Sequence, residues 1–523
     1  MAFSSIWLRT IRKSLCGCLI AIPLAWGVVG WPQKAKAGRG QLELRAIDAQ
    51  SEEPTAVRMR LRNPKGRPVF AAKAPRVGDG FLFDGKVVLE LSPGIYTFTL
   101  DKGPEFREHT GRFVIQSGAA DNHQVEMRRF ASMKDEGWWS GDLHVERSVR
   151  EMPLRMLAND LHFANVISWK NGESVWQRQR TPSETTVWVG NERAFDLMGG
   201  RDRRSASELI LGRLAEPLML AADEGEFPSP FESAQTAAAL MGHLHLSRLD
   251  AQDLPVWIAS RKLGSVGLLH SGLLESGSQD ESFVKQPDDV LFPPPLGIGR
   301  WSQQIYFRML NLGVRIPPAA GSGAGLNENP VGYNRVYVHH DGPFQVESWW
   351  DGLRAGRVVL TNGPLLRPRV NGELPGHIFR PDGDELQLEV EALLSTREKI
   401  DYLEVIQNGQ SVIQTRLEDW AASGGRLPPV IFKEDGWLML RVVTRNSKTY
   451  RGACSGPFFV SFANSKSKQQ DAKTAQFFLD WLYERARKIK LSPDQQKSVM
   501  RYHRAARDFW QTRVDGLSEE TLP

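Results

Sequence analysis

The stretch Gly137-Trp138-Trp139-Ser140-Gly141-Asp142-Leu143-His144-Val145-Glu146-Arg147 decides how this chain is read. If it is extended, side chains alternate between faces, so Asp142, His144 and Glu146 share one face and Leu143 and Val145 the other. An acid, an imidazole and a second acid arriving from one direction are the oxygen and nitrogen donors that a divalent metal takes. The same pattern suits a half-buried strand with a polar face turned to water. Spacing alone leaves both readings open.

Upstream, residues 40 to 130 read as a small β domain of short alternating runs, such as Gln41 to Asp48 and Lys86 to Leu91. Ser92-Pro93-Gly94 makes a turn, after which Tyr96, Phe98 and Leu100 point to one side of a hairpin. This hairpin resembles the strand-turn-strand of carboxypeptidase-regulatory-like β-sandwich modules. At the start of the chain, Arg9, Arg12 and Lys13 precede an apolar run from Leu15 to Val29, and Ala35-Lys36-Ala37 offers a small-residue cleavage site. These features predict a secretory signal peptide over residues 1 to 37 and with it an exported protein, periplasmic, secreted or on the cell surface. An uncleaved membrane anchor fits less well, because the run contains Pro23 and falls short of the roughly 20 residues of a span.

The cleavage changes the charge argument. The formal net charge is +5, and Arg9, Arg12, Lys13, Lys34 and Lys36 of the signal carry all of it. A mature chain of zero net charge has no electrostatic footprint for nucleic acid, which needs clustered cations. Cys16 and Cys18 leave with the signal, so Cys454 remains alone and no intrachain disulfide is available. At 41% hydrophobic and 24% charged residues the composition is that of a globular protein. A length of 523 residues predicts three or four units, at roughly 150 residues each.

Downstream of Trp138 the texture changes to strands alternating with helical stretches, as far as about Leu366. Met152 to Leu161 is helix-like and leads into an apolar strand, Phe163 to Trp169. Thr186 to Gly190, Ser265 to Leu269 and Arg335 to Val338 read as further strands, and Leu254 to Arg261 as a helix. Polar groups recur just past strand ends: Asn191 and Glu192, His270, His339 and His340. In a closed parallel barrel that edge is where ligand sites are built. Beyond Gly363-Pro364 the pattern turns to β again, and residues 369 to 462 read as a second β-sandwich. Residues 466 to 515 read as a helical pair, in which Ser492-Pro493-Asp494-Gln495 supplies a cap, a first-turn proline and a capping-box glutamine.

The motifs occur in a telling order: Gly137-Trp138-Trp139-Ser140-Gly141-Asp142-Leu143-His144, Asn159-Asp160-Leu161-His162, Asp253-Leu254-Pro255-Val256-Trp257, Leu312 to Ser322, Asn329-Pro330-Val331-Gly332-Tyr333-Asn334-Arg335, and Thr361-Asn362-Gly363-Pro364. Taken together they resemble the carbaryl-hydrolase-like (CehA/McbA) branch of the PHP metallohydrolases, the polymerase and histidinol phosphatase superfamily, over residues 137 to 368. The resemblance implies a multidomain α/β and β protein: a distorted (β/α)7 barrel flanked by β-sandwiches over 38 to 132 and 369 to 462. It also implies a divalent metal (zinc, manganese or iron) at the strand C-termini, and hydrolysis of an ester, amide, carbamate or phosphoester by a metal-activated water.

Carried over residue by residue, the resemblance implies His144, Glu146, His162, Glu192, His243, His245 and His270 as candidate metal ligands. Asp142 and Asp253 match its acids, and Arg315 and Arg335 are available to hold a polar or anionic group of a small-molecule or polymer-derived substrate. Two positions depart from the superfamily pattern. Glu146 stands where a second His is expected, and Ser168-Trp169-Lys170 stands where a Thr-Asp-His is expected. These departures support an alternative, a catalytically degenerate barrel acting as a surface or periplasmic binding protein. Gly321-Ser322-Gly323-Ala324-Gly325 lacks the lysine of a phosphate loop and reads as a flexible rim loop.

Overall fold

The structure is a computed structural model that describes residues 38–223, 225–277, 283–463 and 472–516. The signal peptide expected over residues 1 to 37 lies outside the described residues, as does the start of the segment from 466. The chain is β-rich and multidomain, with several sheets and a helical pair near its C-terminal end. Among the described residues no helix is long and apolar enough to cross a membrane.

The N-terminal unit packs a three-stranded sheet against a larger antiparallel one. In the first, Gly40–Asp48 lies between Lys86–Leu91 and Ala120–Met127, antiparallel to one and parallel to the other. Alternation along Gly40–Asp48 sends Leu42, Leu44 and Ala46 inward, where they meet Met59, Phe81, Phe98 and Leu100 from the facing sheet.

The strand Trp138–Val145 lies at the junction of the other units, and every one of its residues is buried. Its polar face therefore turns into protein and not, as one of the two readings had it, to water. Trp138 enters a core shared with the C-terminal sandwich, while Trp139 and Leu143 enter the central core. Phe163–Lys170 pairs with it in parallel on one side and Arg335–His339 antiparallel on the other. The sheet continues in parallel to Ala194–Asp202, then turns antiparallel through Leu209–Gly212 to His243–Leu246, and returns to parallel pairing with Ser265–Leu269 and Pro318–Ala320. An all-parallel sheet is thus not what forms. Residues 203–208 are too short a connection for a parallel crossover, which needs a dozen or more residues, so the two strands flanking them form a hairpin.

Past Pro318–Ala320 the chain meets the end of the Trp138 strand, where Gly323 N donates to His144 O at 2.9 Å and Glu146 N to Ala324 O at 2.8 Å. The expectation of a flexible rim loop here is corrected, since Gly321 to Ala324 are buried. A Cβ on Gly325, at φ +115°, would lie 1.9 Å from Glu146 O, so only glycine lets the two backbones approach.

Farther on, Gly452–Ser455 pairs with Val358–Thr361, so one sheet runs across position 368. The edge of Val358–Thr361 would otherwise be an open row of peptide groups. The helices Ala472–Ala486 and Pro493–Val514 close the fold, the second opening with the capping box between Ser492 and Gln495. Phe478, Trp481 and Trp510 enter the central core, and Trp510 Nε1 donates to Pro255 O at 3.0 Å. Each such indole buries about 150–250 Å², a gross gain of about 4–6 kcal/mol per ring.

Candidate functional site

The face of the Trp138 strand that carries Asp142, His144 and Glu146 meets charged groups from neighbouring strands. His144 Nε2 lies 3.4 Å from Glu146 Oε1, and its Nδ1 lies 3.8 Å from Glu208 Oε2. Arg201, at the end of Ala194–Asp202, reaches both acids: Nη1 donates to Glu208 Oε1 at 3.2 Å, and Nε sits 3.0 Å from Glu146 Oε1 as an ion-pair contact off the hydrogen-bond direction. Ser247 Oγ donates to Glu208 Oε2 at 2.8 Å, and Lys170 Nζ stands 3.9 Å from Glu146 Oε2. Lys170 belongs to the Ser-Trp-Lys run that replaces the expected Thr-Asp-His.

The electrostatics follow from burial and pairing. Burial alone would lower the His144 pKa, but the carboxylates of Glu208 and Glu146 outweigh it and hold the pKa above its ordinary value. Burial would raise both acids, yet His144 and Arg201 hold Glu146 and Glu208 below the usual range. Two carboxylates, a guanidinium and an imidazole inclined to protonation therefore neutralise one another inside the protein, as buried charges must.

Asp142 has a different task. Its Oδ1 accepts from His144 N at 3.0 Å and Ser322 N at 2.9 Å, and its Oδ2 accepts from Gly332 N at 2.8 Å. It ties three chain segments together. Burial raises its pKa against these three hydrogen bonds.

The other expected site residues fall in several places. His245 and His243 both contact Ser265 Oγ, at 2.9 Å and 2.8 Å, and burial lowers both pKa values, that of His243 to about 3. His245 Nε2 is buried without a partner, while the His243 ring packs tilted against Trp350 at 4.8 Å. His270 accepts from Gly272 N and contacts Ser302 Oγ, and burial lowers it to about 3. His162 contacts Ser140 Oγ at 2.9 Å and packs edge-on against Trp139. Glu192 does not join these groups, because it pairs with Lys134 at 2.6 Å near the surface.

Nor do three of the expected polar side chains. Asp253 accepts from Arg485 Nε at 2.7 Å and from Ser205 Oγ at 2.8 Å, so it docks the C-terminal helices. Arg315 lies over the Phe459 ring at 4.6 Å. Arg335 spends its N–H groups on the carbonyls of Gly332, Asn159 and Asp160. A guanidinium bonded to three carbonyls holds backbone in place and has little left for a substrate.

The donor set can be tested against a metal. An imidazole and two carboxylates are suitable donors, but Arg201 already lies against both acids, and a divalent cation there would repel it. Among the described residues, no three His, Cys, Asp or Glu side chains are arranged to hold a metal ion. The residues present do not fit the group.

No family model matches the chain, and no curated protein does. Among solved structures, the minor pilin GBS52 of Streptococcus agalactiae is similar over 18% of this chain and 47% of its own, at 14% identity and a TM-score of 0.16. The Bacillus anthracis TIE protein is similar over 21% of this chain and 20% of its own, at 19% identity and a TM-score of 0.15. The Bacteroides uniformis beta-glucuronidase 3 is similar over 78% and 60%, at 11% identity and a TM-score of 0.15. The chain thus spans about half the length of the pilin and a fifth of the TIE protein. At these TM-scores none of the three bears on fold or function.

Arg201, Glu208 and Ser247 were not legible as site residues from the sequence. The available signal was Arg201 itself, a charge near the end of the run Ala194 to Asp202, whose earlier residues are apolar apart from Asp196. Such a charge, if buried, demands a carboxylate, and Glu208 is the acid that the connection to the next strand brings to it.

Proposed function

We propose that the chain is an exported protein with a barrel of the PHP type, in which a guanidinium has taken the place of the metal and which serves as a binding protein. One observation carries this reading: Arg201 lies against both Glu146 and Glu208, with Nε 3.0 Å from one and Nη1 3.2 Å from the other. A guanidinium paired with both acids, together with a His144 imidazole inclined to protonation, offsets their charge and weakens the electrostatic reason for a divalent ion. Glu146 in place of His and Lys170 in place of a ligand change the site in the same direction.

The competing reading is a hydrolase with a metal-activated water, acting on an ester, amide, carbamate or phosphoester. It is favoured by two atoms of the candidate ligands, His162 Nε2 and His245 Nε2, which are buried without a partner. Elemental analysis of the mature protein, after loading with zinc, manganese or iron and dialysis, separates the two. The expected result is far less than one metal per chain in wild type, with uptake gained when Arg201→Met is combined with Glu146→His. One retained metal per chain, lost in His144→Ala, would restore the hydrolase.

A further inference from the structure

A second polar site lies where the N-terminal sandwich, the central unit and the C-terminal sandwich meet. It is a cleft of about 140 Å³, smaller than the roughly 300–1,000 Å³ of a drug-sized site. Two of the ordered motifs converge on it: Pro330, Gly332 and Tyr333 from one, and Thr361, Asn362 and Gly363 from the other. Its charged lining is already paired. Arg58 donates to Glu275 at 2.7 Å and to Asp101 at 2.9 Å, and Arg397 donates to Asp101 at 2.7 Å. Arg451 Nη2 meets Glu398 Oε1 at 2.6 Å.

What remains unpaired defines the ligand. Three lining atoms are buried without a partner: Arg58 Nε, on a guanidinium already held by two carboxylates, and Glu398 Oε2 and Arg451 Nε, an acceptor and a donor on two side chains that already touch. Gly363 packs close against them and has no side chain to crowd them. A Cβ there would stand 2.7 Å from Glu398 Oε2 and 3.3 Å from Arg451 Nε.

An anion would meet the guanidinium N–H but face the free carboxylate oxygen. An ammonium group would satisfy the carboxylate but leave the N–H unmet. A hydroxyl does both, since it donates one hydrogen and accepts through two lone pairs. The lining favours a neutral ligand for a second reason: the guanidinium groups of Arg58, Arg335, Arg397 and Arg451 are balanced by four lining carboxylates, Asp101, Glu108, Glu275 and Glu398.

We infer that this cleft binds a neutral polyol of the sugar class, with one hydroxyl donating to Glu398 Oε2 and accepting from Arg451 Nε beside Gly363. The inference names a ligand for the proposed binding protein, at a site separate from the His144 cluster.

Saturation-transfer NMR on the mature full chain tests it, with glycerol, glucose and maltotriose as probes and with acetate and glycine as charged competitors. Saturable polyol signals are expected, weakened about tenfold by Glu398→Gln, abolished by Gly363→Ala, unchanged by Glu192→Gln, and not displaced by acetate or glycine. A stronger response from glucose than from maltotriose identifies a free sugar as the source, and the reverse identifies a chain end. If Gly363→Ala fails to fold, Glu398→Gln decides alone. No saturable polyol signal, a signal equal in Glu398→Gln and wild type, or displacement by either charged competitor overturns the inference. Metal content is a separate readout, so failure here leaves the reading of the His144 cluster standing, and the converse holds.

Discussion

The His144 cluster, deeply buried, and the cleft beside Gly363, partly exposed, are both made of guanidinium and carboxylate groups, yet one is closed and the other open. In the cluster, Arg201 contacts both acids, with Nε as an ion-pair contact off the hydrogen-bond direction, and Ser247 takes a further carboxylate oxygen. In the cleft, Arg451 and Glu398 form a single contact and leave Nε and Oε2 unpaired. The lesson is that charge type alone does not mark a ligand site. What marks it is the hydrogen-bonding capacity left over once the protein has bonded to itself.

Opening the closed cluster should have the largest effect. Arg201→Met leaves Glu146 and Glu208 buried with only His144 and Lys170 as cations, and a loss of about 3–5 kcal/mol is expected, read by urea unfolding. A loss under about 1 kcal/mol would mean that the acids reach water, and the contrast with the cleft would fail.

Next comes the residue that joins the two regions. Asp142→Asn replaces one of two carboxylate oxygens with an NH₂ that faces backbone N–H groups, at Gly332 on the cleft side or at Ser322 and His144 on the cluster side. A loss of about 1–3 kcal/mol is expected, and amide exchange should show faster opening at Gly332 or Ser322. Unchanged exchange at both would show that Asp142 does not couple the regions.

The pH dependence of the cluster is smaller and has a definite sign. The His144 pKa is raised above 6.5 on folding, so its contribution is full below the unfolded value and is lost as pH rises through the folded one. Glu146 and Glu208 are lowered from 4.5, so theirs is present above that value and is lost as pH falls through the folded one. The stability difference between wild type and His144→Gln should therefore be greatest between pH 4.5 and 6.5 and shrink at higher pH. A difference independent of pH would show that His144 does not titrate with its neighbours.

The smallest effect belongs to the open region. Glu398 shares a partly exposed pair with Arg451, at side-chain exposures of 27% and 13%, and its other oxygen bonds to nothing. Glu398→Gln should cost less than about 1 kcal/mol, measured in the same urea series. A larger loss would mean that the cleft is as tightly closed as the cluster.

Much of the local structure was legible in advance. Lys86–Leu91 and Ser265–Leu269 form as strands where alternation or apolar runs placed them, and Ser492 with Gln495 caps a helix as its spacing required. The hairpin joining Ala194–Asp202 to Leu209–Gly212 was not legible, because an apolar run does not say which neighbour it will pair with. The site was read in part. His144 and Glu146 do lie within reach of each other, while Asp253, Arg315, Arg335 and Glu192 are committed to packing, backbone or surface contacts.

For the opening stretch, the sequence by itself determined that Asp142, His144 and Glu146 share a face, because side chains in an extended backbone alternate with period two whatever surrounds them. Only the tertiary structure decided what that face meets. Arg201 comes from a strand more than fifty residues away and Glu208 from the hairpin connection that follows it, and which charge meets a carboxylate depends on strand pairing that local spacing does not encode.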